Sequence, residues 1–142
     1  IFVEGAKKGW NVGISSIIPN VLMAFVLIHA LRLSGLLDML GVLFNPVMGL
    51  FGLPGQAVMV LVGAWMSMGG GVGVAASLYA AKILNPTHVT ILLPAIFLMG
   101  AQIQYMGRLL GTAGIQGRYY PMLFGISILN AIISMIIMRI FA

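Results

Sequence analysis

A glycine-rich run inside an apolar segment is the first place where this sequence could bind a ligand. Residues 67–73 read Ser-Met-Gly-Gly-Gly-Val-Gly, so four of the five positions from Gly69 to Gly73 are glycine. Each glycine costs a helix about 1 kcal/mol relative to alanine, which disfavours a continuous helix here. The backbone exposed at such a break can bind a polar solute. Helix packing through the GxxxG pattern of Gly69 and Gly73 is the alternative, but packing does not require four glycines.

Two glutamines, Gln102 and Gln104, follow the next apolar stretch. Their amides offer both donors and acceptors, which suits a neutral polar solute such as a nucleoside or a small amide. Residues two positions apart point about 200° apart on a helix, so the two amides share a cavity only if the backbone unwinds between them. The alternative is that one or both satisfy backbone groups freed at a helix break.

Arg108 is a cation without a partner nearby in the sequence, because the only acids in the chain are Glu4 and Asp38. If Arg108 is buried, its partner is another chain, a lipid phosphate, a helix C-terminus or a substrate anion. The alternative is that its side chain extends to the membrane interface.

The composition excludes several classes of protein and site. Hydrophobic residues make up 61% of the 142 residues and charged residues 6%, which indicates a membrane protein. The seven basic residues are dispersed, so we expect no nucleic-acid binding. With no cysteine, two isolated histidines and two acids, we expect no metal site and no enzymatic activity. The GxGxxA pattern that begins at Gly71 has no following acid, so we expect no dinucleotide cofactor.

The apolar and polar stretches predict an all-α polytopic membrane protein. We expect an interfacial helix, a re-entrant helical hairpin with a glycine-rich tip and a discontinuous transmembrane helix. The predicted elements are an interfacial helix at 1–10, a span at 13–33, two short interfacial helices at 36–44 and 46–51, hairpin arms at 58–66 and 74–81, a broken helix at 89–100 and 109–117 with its break near 102–107, and a last span at 121–140. A re-entrant hairpin puts Arg32, Lys82 and Arg139 on one side of the membrane, but the positive-inside rule does not choose between this and a spanning segment.

The order of these elements resembles the Gate (nucleoside recognition) domain, which concentrative nucleoside transporters, the ferrous-iron permease FeoB and spore maturation proteins share. The resemblance is strongest to short bacterial inner-membrane proteins of the YjiG/SpmB type and covers nearly the whole chain as a single domain, 1–142. The segments that carry it are Gly52-Leu53-Pro54-Gly55, Met66-Ser67-Met68-Gly69-Gly70, Val72-Gly73-Val74-Ala75-Ala76-Ser77, Leu93-Pro94-Ala95, Gly107-Arg108 and Leu110-Gly111-Thr112-Ala113.

The resemblance implies that the hairpin tip and the broken helix meet near the membrane midplane and bind a solute. The substrate-binding residues so implied are Ser67, Met68, Gly69, Gly70, Gly71, Gln102 and Gln104, with Arg108 as an anion or partner contact. The nucleoside transporters carry Gln, Thr and Glu at the tip, where this chain has Ser67 to Gly71. They also contain two inverted copies of the unit, whereas this chain has one.

The chain is therefore expected to be a subunit of a secondary transporter in the bacterial inner membrane. It would move a small polar solute resembling a nucleoside, an amino acid or a dipeptide, as half of an inverted pair with a companion Gate protein. Sodium or protons would be the coupling ion. The alternative function is a non-transporting membrane scaffold or assembly factor, as in the spore maturation relatives. A water-filled cavity at the hairpin tip would favour transport, and a tip packed dry would favour the scaffold.

Overall fold

The computed structural model describes residues 1–106, 114 and 116–142, and every regular element within those residues is helical. The predicted all-α class is therefore confirmed. The described α-helices are α1 (Phe2–Val12), α2 (Ile18–Leu33), α3 (Leu36–Gly49), α4 (Val58–Met66), α5 (Met68–Ala80), α6 (Pro86–Leu98), α7 (Gln102–Tyr105) and α8 (Tyr120–Phe141). A π-helical turn, Gly13–Ile17, joins α1 to α2, and short 3₁₀ turns, Gly55–Ala57 and Gly117–Tyr119, precede α4 and α8.

Two of the described helical stretches are long and apolar enough to cross a membrane. Pro86–Tyr105, which contains α6 and α7, has 20 residues, and Gly117–Phe141, which contains α8, has 25. A crossing requires about 20 residues. Phe25–Leu33 and Leu36–Gly49 meet the same criteria as a pair, but they are bent by 93° at the turn between them. If α2 crosses the membrane, α3 therefore lies close to the membrane plane.

The amphipathic N-terminal segment forms the predicted helix. All residues of α1 are exposed, and none of its side chains joins the core of the described residues. Glu4, Lys7 and Lys8 share this helix with apolar side chains such as Phe2 and Trp10.

The predicted division of residues 36–51 into two helices at Asn45-Pro46 is wrong. A single helix, α3, contains Pro46 and ends at Gly49. Proline removes the backbone donor that would bond the carbonyl of Val42, and Val42 lies on an exposed surface (79%) where other donors can replace it. The chain turns instead at Gly52, which has a φ of +72°.

The predicted glycine-rich loop is also shorter than expected. Only Ser67 interrupts the helices, and Gly69 to Gly73 form the first turns of α5. The arm predicted at 58–66 is confirmed by α4. The helical cost of the glycines is outweighed by packing, because α5 runs through the core with Gly71, Gly73, Val74 and Leu78 buried.

Arg139 contacts the segment that follows α3, and Lys82 lies near Arg32. Arg139, near the end of α8, donates to the carbonyl oxygen of Leu50, just beyond α3. Lys82 follows Ala81, which lines the same cavity as Arg32.

Candidate functional site

The turn between α4 and α5 is made by a single extended residue. Ser67 has φ −163° and ψ 150°, and its hydroxyl accepts a hydrogen bond of 2.8 Å from the backbone N–H of Gly70. This is the N-cap of α5, an interaction that contributes about 1 kcal/mol. Because α4 ends at Met66 and α5 begins at Met68, the two helices form a hairpin with a tight turn.

Two of the tip glycines permit the arms of this hairpin to pack closely. A Cβ at Gly70 would lie 3.0 Å from the carbonyl oxygen of Gly63, and a Cβ at Gly71 would lie 2.9 Å from the Cα of Ala64. By contrast, a Cβ at Gly69 would have nothing within 4 Å. Packing therefore explains Gly70 and Gly71 but not Gly69.

The second helix break lies earlier than the sequence predicts. Of the break predicted near 102–107, residues 102–105 are helical, as α7, whereas Gly107 and most of the predicted second piece, 109–117, lie outside the described residues. The interruption is at Met99–Ala101, where Ala101 adopts a left-handed conformation with φ +57°. A Cβ at Gly100 would lie 2.2 Å from the Cγ of Met68, so Gly100 is the residue that admits the hairpin turn. Glycine directly after an apolar helix was the sequence signal for this position.

The two breaks contact each other directly. The N–H of Ala101 donates to the carbonyl oxygen of Ala64 at 2.7 Å, and the Nε2 of Gln104 donates to the carbonyl oxygen of Met66 at 2.9 Å. These carbonyls belong to the last turn of α4, where a helix has no internal donors for them. The broken helix thus caps the first arm of the hairpin. We call this contact, residues 64–71 with 99–104, the junction.

The side chains of the two predicted glutamines have different hydrogen-bond partners. Gln104 contacts the hairpin, whereas the Oε1 of Gln102 lies 3.1 Å from the hydroxyl of Ser127 on α8. The same hydroxyl lies 3.0 Å from the carbonyl oxygen of Leu98, the last residue of α6. Gln104 therefore satisfies a backbone carbonyl at a helix end, as the alternative interpretation expected, whereas the Oε1 of Gln102 is an acceptor for the hydroxyl of Ser127.

The electrostatics of the junction come from helix ends. The partially positive N-terminus of α5 meets the partially negative C-termini of α4 and α6. Trp65 lies beside the turn, its ring 5.4 Å from that of Phe124, and its buried indole N–H has no acceptor among the described residues.

The described residues contain no cluster of three or more metal-ligating side chains. Arg108, the predicted anion or partner contact, lies outside the described residues.

The depth of the junction follows from its position along α8. Ser127 of α8 lies beside the junction, because its hydroxyl bonds Leu98 and Gln102 on either side of the second break. At about 1.5 Å per residue, Ser127 is about 18 Å from Arg139 and about 10 Å from Tyr120. The hydrocarbon core of a bilayer is about 30 Å thick. If α8 crosses the membrane, the junction lies well inside it.

Comparison with known proteins gives a family and relatives. The family model described as nucleoside recognition, Gate, matches residues 14–115, which include both breaks. Inner membrane protein YjiG of Escherichia coli strain K12 is 49% identical over 139 residues, which are 98% of this chain and 91% of YjiG. An uncharacterized protein of Methanocaldococcus jannaschii is 26% identical over 96% of this chain and 44% of its own length. No solved structure matches the chain. The name of the Escherichia coli relative and the two apolar helices confirm the predicted inner-membrane location.

Proposed function

The chain belongs to the nucleoside recognition (Gate) family, and we propose that it is one subunit of a secondary transporter for a small polar solute. The observation that carries this proposal is the contact between the two helix breaks, which lies well inside the membrane if α8 crosses it. Lipid cannot satisfy irregular backbone, so such breaks persist only where protein buries them or where they line an aqueous cavity. Pairs of broken helices that meet within the membrane are typical of secondary transporters.

In this proposal the solute binds at the junction, and Gly69 is the residue at which it approaches the backbone. Gly69 is in the first turn of α5 and has open space where a side chain would be. Gln104 uses one N–H for Met66, so its amide oxygen and second N–H remain for a polar solute. The proposed substrate-binding residues are Ser67, Met68, Gly69, Gly70, Gly71, Gln102 and Gln104, with Arg108 as an anion or partner contact.

We further propose that the α4–α5 hairpin is re-entrant. Its turn is at the level of Ser127, about 18 Å from Arg139 along α8. The chain leaves the hairpin at Lys82, which is close to the end of α2. It enters the hairpin after Leu50, whose carbonyl Arg139 contacts. Entry and exit at one end of the molecule are what a re-entrant hairpin requires.

A companion Gate protein would complete the transporter. The proposal rests on the presence of one Gate unit in this chain where nucleoside transporters have two inverted copies. Sodium or protons would supply the driving force. Extensive exposed apolar surface, which includes Leu22, Val26 and Ile133, is consistent with contacts to lipid and to such a partner.

Solute binding by the purified complex tests the proposal. Nucleosides, amino acids and dipeptides would be screened by isothermal titration calorimetry in the presence and absence of sodium. We expect one class to bind, and we expect Gly69→Val to abolish this binding because a branched side chain fills the open space at the tip. Gly49→Val is the matched control, since Gly49 also has nothing within 4 Å but lies at the end of α3. Unchanged binding by Gly69→Val would remove the tip from the site.

A membrane scaffold or assembly factor is the second candidate, and the close packing of Gly70 and Gly71 at the tip favours it. Gly70 and Gly71 pack against α4, and Gln104 is engaged with a backbone carbonyl. The same variants separate the two functions. A scaffold would bind no solute in the screen, and its Gly69→Val variant would still co-purify with the companion protein.

A further inference from the structure

A cavity distinct from the junction lies between α2 and α5, close to Arg32. Its volume is about 500 Å³, and both helices line it. The polar lining residues are His29, Arg32 and Ser77. Apolar side chains, among them Phe25, Val26 and Ala80, form the remaining wall. The cavity thus has a cationic and hydrogen-bonding part next to an apolar part.

The polar groups of this cavity converge from two helices. Arg32 lies in the last turn of α2, and His29 lies one turn before it. Ser77 faces them from α5 and is only 7% exposed, so its hydroxyl is a buried group that lines the cavity. None of the described lining residues is acidic. Since the chain has seven basic and two acidic residues, most of its cations have no carboxylate partner within it.

If α2 crosses the membrane, the cavity lies at the depth of lipid headgroups. Arg32 is followed at once by the turn at Gly35, and α3 then departs at 93°. In that case α3 lies along the membrane surface, where amphipathic helices bind. The phosphate of a lipid in this leaflet would be level with Arg32, and its glycerol and acyl chains would be level with Phe25 and Val26, deeper along α2.

We propose that this cavity binds an anionic phospholipid, with the guanidinium of Arg32 on the phosphate. Arginine donates through two parallel N–H groups to phosphate oxygens, and its charge strengthens these hydrogen bonds. His29 and Ser77 supply further hydrogen-bond donors, and the apolar wall contacts the first part of an acyl chain. A free phosphate ion would use Arg32 in the same way but would gain nothing from Phe25 and Val26. The apolar wall therefore favours the lipid.

Native mass spectrometry of the purified protein, alone or with its companion, tests this proposal. The detergent-solubilised sample would be titrated with phosphatidylglycerol, phosphatidylcholine or inorganic phosphate. We expect phosphatidylglycerol to bind at least about fivefold more tightly than phosphatidylcholine, and Arg32→Gln to weaken the binding about tenfold through loss of a charge-assisted contact. Lys82→Gln is the matched control, because it removes the same charge at the same end but does not line the cavity. Circular dichroism checks that both variants remain folded, and Arg32→Lys should restore part of the affinity.

Three results would overturn the proposal. Equal binding of phosphatidylglycerol and phosphatidylcholine would show that the headgroup charge is not recognised. Equal affinity of folded Arg32→Gln and wild type would remove Arg32 from the site. Competition by inorganic phosphate at the same concentration as the lipid would identify a free-anion site. None of these readouts depends on solute transport.

Discussion

Two regions of the molecule depend on glycine: the place where the segment before α4 crosses α3, and the turn of the α4–α5 hairpin. Only the hairpin turn also contains a glycine that packing does not require. At the crossing, a Cβ on Gly55 would lie 1.8 Å from the carbonyl oxygen of Gly41, so two backbones touch. At the hairpin turn, a side chain at Gly70 or Gly71 would collide with residues of α4, whereas a side chain at Gly69 would meet open space. Other described glycines, such as Gly49 and Gly125, also have open space around them, so Gly69 is distinguished by its place in the junction. Among the glycines at the hairpin turn, Gly69 is therefore the one best placed to contact a ligand.

Gly55→Ala should have the largest effect on stability. The added methyl would overlap the backbone of Gly41, which cannot move without displacing α3. We expect a loss of about 3 kcal/mol, the upper part of the range for overpacked sites, measured by thermal denaturation in detergent. Gly49→Ala, at a position with open space, is the control and should leave the midpoint unchanged or slightly raised. Equal midpoints for the two variants would contradict the crossing geometry.

Gly71→Ala should separate the arms of the hairpin at a smaller cost. Its methyl would approach the Cβ of Ala64 to 2.8 Å, and a small shift of α5 can relieve part of this overlap. We expect a loss of about 2 kcal/mol in the same assay. The double variant Gly71→Ala with Ala64→Gly should recover part of the loss, because it removes the atom that is struck. Failure of this compensation would mean that the two positions do not face each other.

Gln104→Leu should destabilise the contact between the hairpin and the broken helix. The substitution removes the donor of the Met66 carbonyl at an exposed position, and we expect a loss of about 0.5–1.5 kcal/mol, the net contribution of one hydrogen bond. Gln116→Leu, at an exposed position outside the junction, should cost less. Equal stability of the two variants in denaturation experiments would argue that Gln104 does not cap α4.

Gly69→Ala should have the smallest effect on stability and, in contrast, a large effect on solute binding. Its methyl meets no neighbour, and alanine is the better helix former by up to about 1 kcal/mol. We therefore expect an unchanged or slightly raised midpoint together with weaker solute binding by calorimetry. A lowered midpoint would place Gly69 with the structural glycines and end its distinction from Gly70 and Gly71.

The sequence predicted the order of elements better than the positions of their breaks. The prediction of a helical arm at 58–66 was correct because turn-forming residues flank a run of helix-forming residues there. The predictions of a glycine-rich loop and of a helix break at Pro46 were wrong. Helix propensity includes the local cost of glycine and proline but does not include the tertiary packing that stabilises these helices. The contact between the breaks was expected from the family resemblance. The separate partners of Gln102 and Gln104 were not fixed by the sequence, since they depend on Ser127 and Met66, which are distant in the chain.

Thiol labelling of single-cysteine variants in intact cells tests the central claim most directly, because the chain contains no cysteine of its own. Leu50→Cys and Lys82→Cys replace exposed residues on either side of the α4–α5 hairpin, and Arg118→Cys lies before α8. If the hairpin is re-entrant, a membrane-impermeant maleimide should reach Leu50→Cys and Lys82→Cys from the same side and Arg118→Cys from the opposite side. Labelling of Leu50→Cys and Lys82→Cys from opposite sides would show that the hairpin spans the membrane, which would contradict the proposed junction at membrane depth.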